Sequence, residues 1–343
     1  MASVADYDRA ANALRQPARI IPGGAPDPDE LVRCAALAAS SHNTQPWLFR
    51  IRAGEITITP DFSRRCPVVD PDDAHLYKSL GCAAENLVHA AAAQGLTAEA
   101  AFDPVADAVR LHLESAGVVR ENTLFDAIFK RQCTKTPYDG SPLTRDELGA
   151  LEQAGREGCA HTLLFTAKPR IEAVLEYVRR GNESQLNDRA FRRELLAWIR
   201  FNPGEALRNG DGLSGRTSGQ PSLPRWIARH LIGLVLTAKG QNETDIRNIR
   251  SSSAIAIIVA AGNDRAAWID AGRACQRLAL RATALDLRSA FINQPVEVTA
   301  LRPQLESWLG LNGMHALLMM RLGRAPLAPY SLRRPLEQVI IRD

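Results

Sequence analysis

Three short segments hold the side chains best suited to chemistry. Residues 40–47 read Ser40-Ser41-His42-Asn43-Thr44-Gln45-Pro46-Trp47, which places hydroxyls, amides and backbone donors in one loop. Residues 131–135 read Arg131-Gln132-Cys133-Thr134-Lys135, with two cations at i and i+4. If helical geometry persists there, that spacing predicts one shared face. The C-terminus adds Arg324 in Gly323-Arg324-Ala325-Pro326, and Arg333 and Arg334 before Pro335 and Leu336. Arginine dominates the cations, and its planar fork suits bidentate phosphate contacts. A phosphorylated small ligand therefore fits better than a polymer. There is no Gly-x-Gly-x-x-Gly after a strand, no phosphate-binding Gly-x-x-x-x-Gly-Lys loop and no Gly-x-Ser-x-Gly elbow. The seven histidines show no metal-ligand spacing, and His161, His230 and His315 read as structural or exposed. The expectation from these spacings is a binding set with no metal. Pro46 and Trp47 read mainly as core.

Composition narrows the class. The chain has 343 residues, 45% hydrophobic and 23% charged, enough to bury a sizeable core. A net charge of +4 without a Lys/Arg run argues against a nucleic-acid partner. Cys34, Cys66, Cys82, Cys133, Cys159 and Cys275 are scattered without a Cys-x-x-Cys, as expected of reduced thiols in a cytoplasmic protein. The start, Met1 to Arg19, is mixed and polar, so no signal peptide is read there. No apolar stretch reaches membrane-spanning length, and the run Leu231–Ala238 is too short.

These segments need elements to position them. Residues 1–27, with Pro17, Pro22 and Pro26 and with Pro28 next, read as a wrapping arm. Asp29–Ala39 reads as a short amphipathic helix leading to Ser40. Leu48–Ile51 and Ile56–Thr59 alternate as a hairpin about Ala53-Gly54. Apolar spacing predicts a helix over Tyr77–Gly95, and Val109–Leu113 reads as a strand. Further on, the reading gives helices Leu124–Arg131 and Asp146–Glu152, the latter with a Thr144/Glu147 capping box. Strands follow at Leu163–Thr166 and Ala254–Ala260, and a long helix at Asp270–Asp286.

The second long helix matches the first. Aligning Gly81–Leu96 with Gly272–Leu287 pairs Gly81 with Gly272, Ala83 with Ala274, Leu87 with Leu278 and Ala91 with Ala282. Small residues along one stripe let two helices approach closely. This is the signature expected of an internal duplication, with halves 28–120 and 121–343. One segment, about 182–248, has no counterpart. It starts as a helix with Leu186, Ala190, Leu195, Leu196 and Ile199 apolar. It continues as a Gly/Ser/Asn/Pro-rich loop from Asn202 to Pro224, read as either a lid or a surface insertion.

Together the three segments resemble the FMN-binding nitroreductase superfamily, in particular its Acg-like branch, in which one chain imitates the usual dimer. The resemblance covers roughly residues 30–340 apart from the insertion. It rests on Asn43-x-Gln45-Pro46-Trp47, on Arg131-x-Cys133-x-Lys135 and on the C-terminal arginines. Cys133 stands where the family has Ser, and Ser40 where it often has Pro. The resemblance implies an α+β fold, a central antiparallel sheet flanked by helices. It implies FMN held by Ser40, Ser41, Asn43, Gln45, Arg131, Cys133, Lys135, Arg324, Arg333 and Arg334. The first half has the Ser-x-Asn loop without the basic motif. The second half has the basic motif, but its Ser-x-Asn position, near Gly158–Leu163, reads Gly-Cys-Ala-His-Thr-Leu. One composite site per chain is expected, in a monomeric pseudo-dimer or a homodimer. The implied activity is reduction of nitro-aromatic, quinone or similar small-molecule acceptors by NAD(P)H. The alternative is an FMN-storage protein with little turnover.

Overall fold

A computed structural model describes residues 2–17, 26–116, 123–219, 222–228 and 236–342. Its backbone is organised by two long helices, α3 (Ala74–Ala93) and α10 (Arg265–Ala284), packed against each other. At their crossing, a Cβ on Gly81 would collide with the Ile269 carbonyl oxygen. A Cβ on Gly272 would collide with the Lys78 carbonyl oxygen. The contact is reciprocal, since each glycine meets the carbonyl three residues ahead of the other. Only a residue without a side chain allows backbones this close.

Each long helix belongs to a sheet. The first half contributes β1 (Trp47–Arg52), β2 (Glu55–Pro60), α3, β3 (Leu96–Asp103) and β4 (Ala108–Ser115). The second contributes β5 (Ala160–Phe165), β8 (Ala254–Ala260), α10, β9 (Arg288–Phe291) and β10 (His315–Gly323). Spatial order is β1-β2-β4-β3 in one sheet and β5-β8-β10-β9 in the other, antiparallel throughout. A C-terminal strand, β11 (Ile340–Ile341), adds to β1 in parallel. The expected single antiparallel sheet is thus two main sheets, one of them mixed, with a separate parallel pairing of Ile199–Arg200 with Leu213–Ser214. The helix pair fills the space between the two main sheets, and this is why α3 is buried on nearly every side.

β1 and β2 are joined by a tight turn with Gly54 at φ 72°. Between β5 and β8, the first two strands of the other sheet, the chain instead inserts residues 166–253. The insertion holds α6 (Lys168–Asn187), α7 (Arg189–Trp198), β6 (Ile199–Arg200), α8 (Pro203–Asn209), β7 (Leu213–Ser214) and α9 (Ala238–Arg250). It explains the composition of β8, which is buried at every residue. Ala254, Ala256, Ile258 and Ala260 face the core around α3 and α10, while Ile255, Ile257 and Val259 face a second core beneath α6.

Several sequence expectations change. Residues 4–13 of the supposed arm form α1 (Val4–Ala13), started by a Ser3/Asp6 capping box. Its Tyr7 and Ala11 pack with Ala206 of α8 and with Leu332. Pro22, His230 and residues 231–235 of the apolar run lie outside the described residues. The loop Asn202–Pro224 contains α8 and β7 rather than irregular chain. β3, with three alanines among its eight residues, was not expected because alanine is a poor strand former; pairing with β4 overrides that preference. The helices α2 (Pro28–Ala36), α4 (Thr123–Lys130) and α5 (Arg145–Ala154) fall close to their expected places. The Thr144/Glu147 capping box is present. Among the described residues no helix is long and apolar enough to cross a membrane.

Candidate functional site

A cavity of about 930 Å³ lies between the helix pair, the 40–45 loop, the C-terminal segment and the insertion. It is within the size range of cofactor pockets.

The loop after α2 forms one wall. His42, Asn43 and Gln45 have φ of 47°, 54° and 54°, a conformation that non-glycine residues rarely adopt. Local bonds hold it, with Gln45 N–H donating to Ser40 Oγ at 3.0 Å and Thr44 N–H to the Ser41 carbonyl at 2.9 Å. Trp47, fully buried at the start of β1, anchors the exit of the loop. Ser40, Ser41, His42 and Asn43 face the cavity. Asn43 is already engaged: its amide donates to the Gly212 and Leu332 carbonyls, and its Oδ1 accepts from Arg333. Gln45 does not line the cavity. Its amide donates to the Gly210 carbonyl at 2.9 Å and accepts from Arg334 N–H at 2.8 Å. Both side chains tie the insertion and the C-terminus to the loop.

The basic motif differs from the helical expectation. α4 stops at Lys130, and residues 131–135 run extended, bridged at Cys133 to Ser289. Arg131, Cys133 and Lys135 still reach one cavity, and Gln132 between them lines it too. Arg131 Nη2 donates to the Leu37 carbonyl at the C-terminal end of α2, and its buried Nε has no partner. Beside it, Arg15 Nη1 donates to the Ile128 and Arg131 carbonyls, with Nε and Nη2 buried and unpartnered.

The C-terminal arginines separate into three roles. Arg333 lines the cavity and donates to the Ala36, Leu37 and Ala38 carbonyls, closing the last turn of α2. Arg334 lies outside it, held by the Gln45 carbonyl, Asp61 and the Gln338 carbonyl. Arg324 is elsewhere altogether, paired with Glu147 beside a smaller hollow. Arg15, Arg131 and Arg333 are buried close together, and no carboxylate bonds to any of them among the described residues. Burial pushes all three down, Arg15 to about 9, and the guanidiniums repel one another as well. Because arginine does not give up its proton in proteins, the cost appears instead as a demand for an anion.

Other lining residues went unassigned in the sequence. His75, Lys78, Ser79 and Cys82 recur at i, i+3, i+4 and i+7 on α3, a polar stripe on an Ala/Leu helix, and all four face the cavity. That periodic stripe was a usable signal. Burial pushes Lys78 down to about 8, and its ammonium has no hydrogen bond or ion pair among the described residues. Burial and nearby Lys135 push His42 down to about 4, so it is neutral at pH 7. Burial and Lys78 push His75 well down too. The helical turn Gln294–Glu297 after β9 brings Asn293, Gln294 and Glu297 to the wall. The insertion supplies a mainly apolar face, including Leu186, Phe191, Leu195, Phe201, Leu213 and Leu236.

The insertion is fastened beside the loop. Asp211 accepts from Arg200 Nε and Nη2 at 2.9 and 2.6 Å and pairs with Arg64. Both guanidiniums lie over the Trp198 ring. Gly212 N–H donates to the Asn43 carbonyl at 3.1 Å.

No family model matches the chain. Sequences from two strains of Mycobacterium tuberculosis, provisionally named NAD(P)H nitroreductases, are each 26% identical to it over 323 residues, spanning 89% of this chain and 88% of the relative. Among solved structures, the FMN-dependent nitroreductase NfnB of Mycobacterium smegmatis, in complex with NADPH, aligns with 64% of this chain and 98% of its own at 13% identity and TM-score 0.42. The NADPH:FMN oxidoreductase of Vibrio harveyi, complexed with NAD+, aligns with 65% and 77% at 12% identity and TM-score 0.40. The two structural likenesses are too partial to carry weight.

Proposed function

We propose that this chain binds one FMN in the cavity and works as an NAD(P)H-dependent oxidoreductase of nitroreductase type, reducing nitro-aromatic, quinone or similar acceptors. The observation that carries the reading is the buried group Arg15, Arg131 and Arg333, of which Arg131 and Arg333 line a cofactor-sized cavity and none bonds a carboxylate among the described residues. A phosphate monoester supplies the missing charge. The relatives named as NAD(P)H nitroreductases, similar along most of the chain, support the same reading.

The residues present fit FMN. Arg131 and Lys135 are the proposed phosphate donors, because both line the cavity and Lys135 makes no side-chain bond among the described residues. Arg333 contributes charge, but its bonds to α2, Asn43, Ser331 and Leu332 already commit its donors. Ser40, Ser41 and Cys133 border the ligand. Asn43, Gln45 and Arg334 hold the walls in place, and Arg324 is not part of the site. Lys78 offers a buried cation to the ligand's polar edge. Bound flavin supplies the hydride chemistry, and the protein supplies binding, orientation and electrostatics.

The reading includes an internal duplication of the Acg-like kind. The shared strand order and the reciprocal Gly81/Gly272 crossing support it. It divides the chain into an N-terminal segment 1–27, a half 28–120 and a half 121–343 carrying the insertion. The site draws its loop from the first half and its cations from the second, so one FMN per chain is proposed, in a cytoplasmic monomer or homodimer. The apolar roof contributed by the insertion favours a second reading, FMN storage with little turnover. Chromatography of the flavin released on denaturation tests the cofactor; FAD, or no flavin after incubation with excess FMN, refutes it. Anaerobic bleaching of the bound flavin by NAD(P)H at a catalytic rate favours the enzyme, and its absence favours storage.

A further inference from the structure

The cavity wall carries Lys78, Arg131, Lys135, Arg200 and Arg333, but Glu297 is the one carboxylate among its described residues. Glu297 sits deep in the molecule yet keeps part of its surface on the cavity. One oxygen, Oε2, accepts from Gln185 Nε2 of α6 at 2.7 Å. The other has no partner among the described residues, and no cation pairs with the carboxylate there. An acid pinned at one oxygen and open at the other is placed to hold a proton over the cavity.

We infer that Glu297 delivers the proton that accompanies hydride transfer to the acceptor. This rests on the flavin reading above, with reduced flavin as the hydride source. A nitro group taking one hydride and one proton loses water and becomes a nitroso group; a quinone taking both becomes the hydroquinone. In each case the Glu297 O–H bond breaks, the acceptor oxygen gains the proton, and the carboxylate recovers one from solvent before the next turnover. Lys78 on α3 is the nearby cation that tempers the transient negative charge. Asp70 and Cys66, from the loop before α3, also face this region, and Arg302, in α11 (Arg302–Leu309), lies beyond Lys78. Burial pushes the Glu297 carboxyl up to about 7, with Asp70 adding to the rise, while the Gln185 bond and Lys78 oppose it. A general acid works best when its pKa lies near the operating pH.

The test compares wild type with Glu297→Gln, which can keep the Gln185 bond, and with Glu297→Asp, which keeps an acid. Difference infrared spectra of the protein without flavin should show a carboxylic-acid band that disappears as pH rises through about 7 and is missing in Glu297→Gln. In the flavin-loaded protein, acceptor reduction should fall above that pH in wild type. Glu297→Gln should lose this limb and run roughly 10²-fold slower or worse, with FMN affinity unchanged. Glu297→Asp should retain a limb. A limb and rate unchanged in Glu297→Gln, or no titrating band, overturns the inference. Failure of wild type itself to hold FMN is seen separately, in the absence of a flavin spectrum, and overturns the flavin reading with it.

Discussion

Replacing Gly81 and Gly149 by alanine makes the same chemical change in two helices and should have opposite effects. Gly149 lies on the exposed side of α5, and a Cβ there meets nothing within 4 Å. Alanine should stabilise by roughly 0.5–1 kcal/mol, because glycine gives up more chain freedom on forming a helix. Gly81 gains the same helix term, but its Cβ would sit inside the van der Waals surface of the Ile269 carbonyl oxygen. That oxygen belongs to the backbone of α10, so no rotamer change relieves the clash. The helices must separate, loosening the layer that includes Ala83, Ala84, Ala271 and Ala274. Overpacking of this kind costs roughly 1–3 kcal/mol and occasionally more. The net expectation for Gly81→Ala is a loss of about 1–2 kcal/mol, and the two variants should differ by roughly 2–3 kcal/mol. Urea denaturation followed by circular dichroism reads both at once. Because Lys78 and Cys82 of the same helix face the cavity, FMN affinity should fall in Gly81→Ala but not in Gly149→Ala. A Gly81→Ala protein as stable as wild type would mean that the close crossing is not what specifies the helix pair.

Arg131→Ala and Lys135→Ala should each weaken FMN binding by roughly 1.5–3 kcal/mol, the scale of a charge-assisted bond; Arg324→Ala should not, and flavin-fluorescence titration of the three variants checks the assignment. Asp211→Asn should release the insertion from Arg64 and Arg200, since breaking a buried pair costs on the order of 3–5 kcal/mol; the expected result is faster FMN dissociation in stopped flow, and an unchanged rate would show that the insertion does not control release. Burial alone would raise the Glu85 carboxyl, but hydrogen bonds from His89 and Arg277 and the Arg277 charge bring it down to about 2. A depressed acid stabilises the fold above its unfolded pKa, so this contribution, on the order of 3 kcal/mol, should be present above about pH 4.5 and fade as pH falls toward 2. Glu85→Gln should flatten that part of the stability–pH curve, and a curve parallel to wild type would refute the assignment.

The sequence by itself determined the elements whose signals are local. Apolar spacing every three to four residues marked α3 and α10, alternation marked the β1–β2 hairpin, and Thr144 with Glu147 marked the start of α5. It also aligned Gly81 with Gly272, which meet at the crossing of α3 and α10, and it collected Ser40, Ser41, Asn43, Arg131, Cys133, Lys135 and Arg333, all of which line the cavity. The polar stripe His75, Lys78, Ser79 and Cys82 was legible in the same way and was passed over. What only the tertiary structure decided depends on distance between segments far apart in the chain. Arg333 and Arg324 read alike as charges near a C-terminus, but one reaches the end of α2 and the other meets Glu147. Gln45 and Arg334 read as ligand contacts, but they bond each other and neither lines the cavity. Arg15 carried no local mark, and its importance comes from two other guanidiniums buried beside it, with no carboxylate bonded to any of the three among the described residues. Glu297 is an ordinary glutamate in sequence; in the fold, burial and nearby Asp70 push its carboxyl up to about 7, against the Gln185 bond and Lys78. Burial and counter-charge are sums over everything nearby in space, and no window of sequence contains them.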